Sequence, residues 1–372
     1  GDVIDVSGLA VSPGFIDMHS HSDLVCMSDP QIAPKLMQGV TLELLGQDGL
    51  SEAPIREDHI PLWRRHLSGL GEYLERCEGA ATNVAAMVGH GTVRLHAMGM
   101  DNRQPTEIEL AEMRRLVDES IEQGAIGFST GLIYSPCVYS DTDELISIGE
   151  IVAKHGSFMV YHMRYEGASI LTGMEEVFQI ARESGAACHI SHFKARGRQA
   201  WGKSPEMIDA VEKARVGGLD ITADQYPYTA GSTMLAALLP PWAHAEGIDT
   251  LNRWLKDEIK KDQMRRDIVS GRDDWEPTVV ATGWENIRIS GVKTEKNSWA
   301  VGKSLREIAD EWGIEPFESV VRLLLDEDHE VSMILFAMDE DDVRRLIVQP
   351  WLMHCSDGLM GGTPHPRTYG TF

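Results

Sequence analysis

Short apolar runs recur eight times along this chain; four of them end in a histidine or an aspartate, and three more are followed by one within two residues. They are Phe15–His21, Val40–Gly46, Asn83–Gly89, Ala125–Thr130, Ser157–His162, Ala187–His192, Leu219–Asp224 and Trp351–Ser356. Most are separated by stretches with a 3.6-residue apolar period, the pattern of strands alternating with helices. Thr106 and Glu109 form a capping-box pattern ahead of Ile108, Met113, Leu116, Val117 and Ile121, which are expected on one helix face, with Gly124 as the stop. A helix is expected over 142–154. Another is expected from the capping-box pattern Thr172/Glu175, with Met174, Val177, Phe178 and Ala181 inward and Gly185 at its end. Ser204-Pro205 opens a further one in cap and first-turn positions.

This α/β alternation predicts a parallel sheet, either closed as a (β/α)8 barrel or open and doubly wound. The polar residues decide between them. His19, His21, Asp48, His90, His162, His192, Asp224 and Asp357 fall at or just past the C-terminal ends of nearly all the strands. A barrel gathers chemistry there, whereas an open sheet concentrates it at one crevice. The roughly 125 residues from Tyr226 to Pro350 are too many for one βα unit. They carry charged helical stretches at Arg253–Arg266 and Ser304–Trp312. We read residues 1–239 as strands one to seven with their helices, 240–340 as an inserted, mainly helical subdomain, and 341–372 as strand eight with a substrate loop. The insertion either covers the site or decorates the periphery. Helix eight and a small flanking β domain are expected to lie outside this sequence.

Composition removes several function classes. A net charge of −24 over 372 residues opposes nucleic-acid phosphates, though it does not prevent a locally basic pocket from taking a small anion. No run of about 18 uncharged apolar residues predicts a membrane span, and the first residues lack the pattern of a secretory signal. A cytoplasmic protein is the expectation, with a homo-oligomer left open. Cys26, Cys77, Cys137, Cys188 and Cys355 are odd in number and scattered, so they read as reduced thiols.

His19-Ser20-His21 follows an apolar strand, and period-2 alternation projects both imidazoles to one face, where they can grip one cation. His162 and His192 close two further strands in the same way. Alone, each is a hydrogen-bonded histidine; together, at equivalent strand ends, they call for a metal. Nitrogen and carboxylate donors favour zinc, one ion or two, with another divalent metal as the alternative. His189, three residues before His192, alternates to the opposite face and reads as structural. Asp357, ahead of Gly358, can shuttle a proton between an attacking water and a leaving group.

These features resemble the amidohydrolase superfamily, and within it the N-acyl-D-amino-acid deacylases. The resemblance rests on Pro13–Asp23, Gly39–Ser51, Gly89–Arg94, Gly124–Pro136, His162–Gly167, Ser191–Ala195, Asp224–Met234 and Ser356–Phe372, which together span nearly the whole chain. It implies that His19, His21 and Asp357 form one metal site and that His162 and His192 hold the other. Asp48 stands where the family often has a shared cysteine, and we read it as a ligand in that place. Similarity further implies that Tyr134, Lys194, Arg367 and either Tyr226 or Tyr228 bind the substrate carboxylate. His90 is expected to orient substrate or a ligand, and Glu166 is either a support for the ligands or a solvated residue. The implied reaction is hydrolysis of an N-acyl-D-amino acid to a carboxylate and a D-amino acid. A D-dipeptidase, a dihydroorotase-like cyclic amidase and a non-catalytic barrel are the alternatives.

Overall fold

The structure, a computed structural model, describes residues 3–55, 67, 69–272, 275–360 and 363–372. Strands β1 (Phe15–Asp17), β2 (Val40–Leu45) and β3 (Asn83–Ala86) pair in parallel in that order. Strand β4 (Val88–Gly89) continues β3 after Met87 and is followed by β5 (Gly127–Gly131), β6 (Phe158–His162), β7 (Ala187–Ile190) and β8 (Ile221–Gln225). Strands β4 to β8 form a second parallel sheet, extended by the late strand Leu352–His354 beside β8. Neighbours follow chain order without the reversal that an open doubly wound sheet requires. The two sheets meet at both edges. Met87 N donates to Leu45 O at 3.0 Å and Ile126 N to Ala86 O at 3.0 Å. At the other edge, Asp357 N donates to His19 O at 2.8 Å.

Alternation along the strands builds two cores. Met159 and Tyr161 of β6 face outward, against helices carrying Met113, Ile148, Val177 and Val211. Val160 faces inward with Leu44 and Met87, so His162, two residues on, opens at the inner mouth.

Helix boundaries show where local signals hold and where tertiary contacts replace them. The Thr106/Glu109 capping box forms on helix Glu107–Glu122, and the helix Thr142–Lys154 is capped by Asp141. Ile108, expected inward, is 82% exposed. At about 100° per residue it stands about 140° round the helix from Met113, off the buried face. The helix Ile170–Ser184 begins before Thr172, and Ser169 makes no side-chain cap. Instead Glu276, from the distant segment after β8, accepts from Gly167 N at 3.0 Å and Ser169 N at 2.7 Å. Ser204 sits inside the helix Ser204–Val216, and its hydroxyl bonds to Asp342.

Between β8 and the late strand, the chain adds an antiparallel sheet as well as helices. Strands β9 (Ala230–Met234), β10 (Ile287–Val292) and β11 (Val331–Phe336) pair in the order β10-β11-β9. The mainly helical reading missed this sheet because its strands lie far apart in the chain and no short turn announces a hairpin. The helices Ile248–Trp254, Glu258–Ser270, Leu305–Trp312 and Pro316–Asp326 pack with it around a separate core that includes Leu251, Ile268, Ile287, Phe317 and Leu324. The stretch read as one helix over Arg253–Arg266 is two, because Asp257 caps a new start. The late strand Leu352–His354 is β12. All five cysteines are buried and unbridged. Among the described residues, no helix is long and apolar enough to cross a membrane.

Candidate metal centre and substrate cavity

His19 and His21 do share a face. Their Nε2 atoms lie 3.2 Å apart, while the intervening Ser20 turns away and donates to Glu43 at 2.7 Å. Asp357 Oδ1 is 3.6 Å from His19 Nε2 and 3.2 Å from His21 Nε2. Asp48 completes this set, with Oδ1 3.8 Å from His19 Nε2 and Oδ2 3.7 Å from His21 Nε2. The same Asp48 Oδ1 lies 3.5 Å from His162 Nδ1 and 3.6 Å from His192 Nε2, and those two nitrogens are 2.9 Å apart. The donors therefore form two groups, His19/His21/Asp48/Asp357 and Asp48/His162/His192, which meet at Asp48.

These distances test whether a cation fits. Four donors about 2.0–2.2 Å from one zinc-like ion lie about 3.3–3.6 Å from one another, close to the spacings found. Asp48 Oδ1 is buried without any hydrogen-bond donor, a costly state for a carboxylate that a cation would relieve. The residues fit a divalent metal.

The backbone explains how three candidate ligands reach the site. Asp48, His192 and Asp357 adopt positive φ values of 55°, 36° and 46°. Such left-handed residues are uncommon outside glycine and gather at functional sites. Each turns a chain leaving its strand so that the side chain points into the mouth. This corrects the face expected for His189, while its structural role holds. Strict alternation would separate it from His192, but the turn at His192 breaks the alternation. His189 Nε2 bonds Asp224 at 2.7 Å, and the other oxygen of Asp224 accepts from His192 N. His189 thus supports a candidate ligand from below, and Asp224 links the two.

Glu166 is buried and bridges the far sides of two candidate ligands, at 3.5 Å from His162 Nε2 and 3.2 Å from His192 Nδ1. Such a carboxylate orients ligating imidazoles and raises their basicity. Lys194 Nζ lies 2.6 Å from Glu166 and 2.8 Å from His192 Nδ1. Burial opposes ionisation of Glu166, yet Lys194, His162 and His192 hold its carboxyl well below the usual range. Burial likewise opposes charge on Asp48 and Asp357. His19 leads the groups that hold Asp48 down, and Arg367 leads those that hold Asp357 down. Burial pushes His19 down to about 4 against the pull of Asp48 and Asp357. Burial and Lys194 also oppose protonation of His192, but Glu166 and Asp48 outweigh them and hold it at about 10. The mouth is an anionic cage that favours a positive charge at its centre.

The cage opens into a cavity of about 340 Å³, within the range of small-molecule sites. Tyr134, Lys194, Tyr226 and Arg367 line it. Arg367 is fully buried, forms an ion pair with Asp357 Oδ2 at 2.7 Å and lies over the Tyr226 ring at 4.5 Å. Tyr134 Oη sits 3.0 Å from Thr233 of β9, so the segment after β8 forms part of the wall. Of the two tyrosines left open, Tyr226 lines the cavity, whereas Tyr228 donates its hydroxyl to Gly370 O at 2.6 Å. His90 does not reach the cavity. Its ring nitrogens are committed to Thr130 at 2.8 Å and Glu144 at 2.7 Å, in a buried cluster with Arg94. Arg196, not singled out from the sequence, is a further buried residue of the cavity wall.

Comparison with known proteins supports the same chemistry. Residues 2–268 match the model of the Amidohydrolase family. The chain is 34% identical to a D-aminoacylase of Alcaligenes xylosoxydans xylosoxydans, over 99% of this chain and 68% of that protein. An N-acyl-D-glutamate deacylase of the same organism is 32% identical, with the same two coverages. Among solved structures, an N-acyl-D-glutamate deacylase from Bordetella bronchiseptica, complexed with zinc and a phosphonate mimic of the tetrahedral intermediate, superposes with a TM-score of 0.78. It shares 30% identity over 96% of this chain and 68% of that one. A D-aminoacylase structure described as defining a novel subset of amidohydrolases gives 0.76 at 32% identity, again over 96% and 68%. The chain belongs to the amidohydrolase family, with a D-aminoacylase and an N-acyl-D-glutamate deacylase among the relatives that match 99% of it.

Proposed function

We propose that this chain hydrolyses the amide bond of N-acyl-D-amino acids, releasing a carboxylate and a D-amino acid. The observation that carries the reading is the pair of donor groups meeting at Asp48, with Asp357 held by Arg367 at the edge of the same cavity. The two parallel sheets are read as one closed (β/α)8 barrel, with an inserted unit that lends β9 to the cavity wall. We place the start of that unit near Ala230 rather than 240, because β9 pairs with β11.

His19, His21, Asp48 and Asp357 would hold one cation, and Asp48, His162 and His192 a second. When bound, a zinc-like ion supplies Lewis-acid polarisation of the acyl carbonyl and an activated water. Asp357, kept ionised by its neighbours, takes the proton of the attacking water and delivers it to the leaving nitrogen. Arg367 holds Asp357 Oδ2, which leaves Oδ1 facing His19 and His21. Lys194, Arg367 and the hydroxyls of Tyr134 and Tyr226 offer donors for the amino-acid carboxylate. Glu166 fixes the rings of His162 and His192, and His90 supports the wall through Glu144 instead of touching substrate.

Zinc-loaded protein is to be assayed on N-acetyl-D-amino acids, their L-forms and dihydroorotate. Turnover confined to the D-series is the expected result. Turnover of dihydroorotate alone, or of L-forms at equal rates, would overturn the proposal.

A further inference from the structure

The lysines and arginines lining the cavity differ in what balances their charge. Lys194 is paired with Glu166 at 2.6 Å and Arg367 with Asp357 at 2.7 Å. Arg196 has no carboxylate partner among the described residues. Its side chain makes a single long hydrogen bond, Nη1 to Thr278 Oγ1 at 3.4 Å, and its Nε is buried without any partner. The residue is 7% exposed. A guanidinium so enclosed loses hydration that, among the described residues, only one long hydrogen bond replaces, and a buried cation of this kind calls for an anion.

Position shows which anion. Lys194 and Arg196 leave β7 two residues apart. Lys194 turns to His192 and Glu166, while Arg196 reaches Thr278 in the segment inserted after β8. The reacting amide belongs beside Asp357, and the α-carboxylate is one carbon from it, among Lys194, Arg367 and the tyrosines. Beyond them the wall is apolar, with Met234, Leu239, Leu335 and Met338. A cationic end on an apolar wall suits a side chain that has methylenes along its stem and a carboxylate at its tip.

Resting on the deacylase reading above, we propose that Arg196 binds the side-chain carboxylate of the substrate, which makes N-acyl derivatives of acidic D-amino acids the preferred class. The net charge of −24 does not oppose this, because Arg196 itself has no carboxylate partner among the described residues.

The test compares N-acetyl-D-glutamate with N-acetyl-D-glutamine, its neutral isostere, and with N-acetyl-D-leucine. The zinc-loaded wild type should favour glutamate over glutamine by about 10- to 100-fold in kcat/KM, the worth of one charge-assisted contact. R196M should erase that preference while leaving turnover of N-acetyl-D-leucine near wild type, which also reports that the variant is folded. R196K should keep part of the preference. Equal turnover of glutamate and glutamine substrates by the wild type would overturn the proposal, as would an equal loss on all three substrates in R196M. If no N-acyl-D-amino acid is turned over, the deacylase reading fails. Calorimetric affinities of the wild type for N-acetyl-D-glutamate and N-acetyl-D-glutamine then decide the role of Arg196, and equal affinities overturn it.

Discussion

Replacing Asp48 with Asn keeps the shape of the side chain and removes its charge. The four-donor group then retains three strong ligands, His19, His21 and Asp357, while the other group is left with only His162 and His192. Zinc sites that keep an open position use three protein ligands, so the two-histidine remnant falls short and the three-ligand group does not. Losing even a residue that only supports a metal ligand weakens affinity about 10- to 100-fold. Loss of a ligand shared by both groups is therefore expected to weaken binding by at least about 100-fold, or about 2.8 kcal/mol. The assay dialyses wild type and D48N against the same zinc-buffered solution, measures metal per chain by mass spectrometry and titrates each with a competing chelator. D48N should hold fewer ions than wild type, with a raised dissociation constant for what remains. Unchanged stoichiometry and affinity would refute Asp48 as a shared ligand, and with it the substitution for the family's cysteine.

Three further outcomes follow from the same geometry. Asp357→Asn should abolish turnover while most of the metal stays on the protein, because Asp48 and the four histidines remain; retained activity with full metal content would remove Asp357 from the proton path. Exhaustive dialysis against a chelator should lower Tm by about 5 °C relative to zinc-saturated protein, the effect of losing about 4 kcal/mol of ligand stabilisation in a chain of this size; an unchanged Tm would argue against a cation in the cage. Glu144→Gln leaves the fully buried Arg94 without its carboxylate and should cost about 3–5 kcal/mol in urea denaturation at pH 7. The wild-type pair also has a pH signature: burial opposes charge on Glu144, but His90 and then Arg94 hold its carboxyl below the usual value of 4.5. Its stabilisation is therefore complete above that value and is lost as pH falls through the lowered one, so the gap between wild type and E144Q should narrow in acid. A constant gap would contradict the ion pair.

Much of the site was legible because strands impose a period of two on whatever follows them. His19 and His21 share a face for that reason, and His162 opens on the inner face that Val160 occupies. The cap at Thr106 was legible too, since a capping box uses only residues three apart. Other features depend on contacts between residues far apart in the chain. Asp48, His192 and Asp357 point inward through left-handed backbone turns, which strand alternation does not anticipate and which misplaced His189. Thr172 yields its expected capping role to the remote Glu276. Arg196 stood in the sequence as an ordinary basic residue after a strand. Its burial on the cavity wall, without a counter-ion among the described residues, is set by the inserted segment, which reaches it through Thr278. The sequence alone determined which residue types gather at the strand ends, because side-chain period and chemistry are local. Tertiary structure decided which of them come close enough to share an ion, which are paired with an opposite charge and which are not, because charge balance depends on neighbours that the chain brings together only when folded.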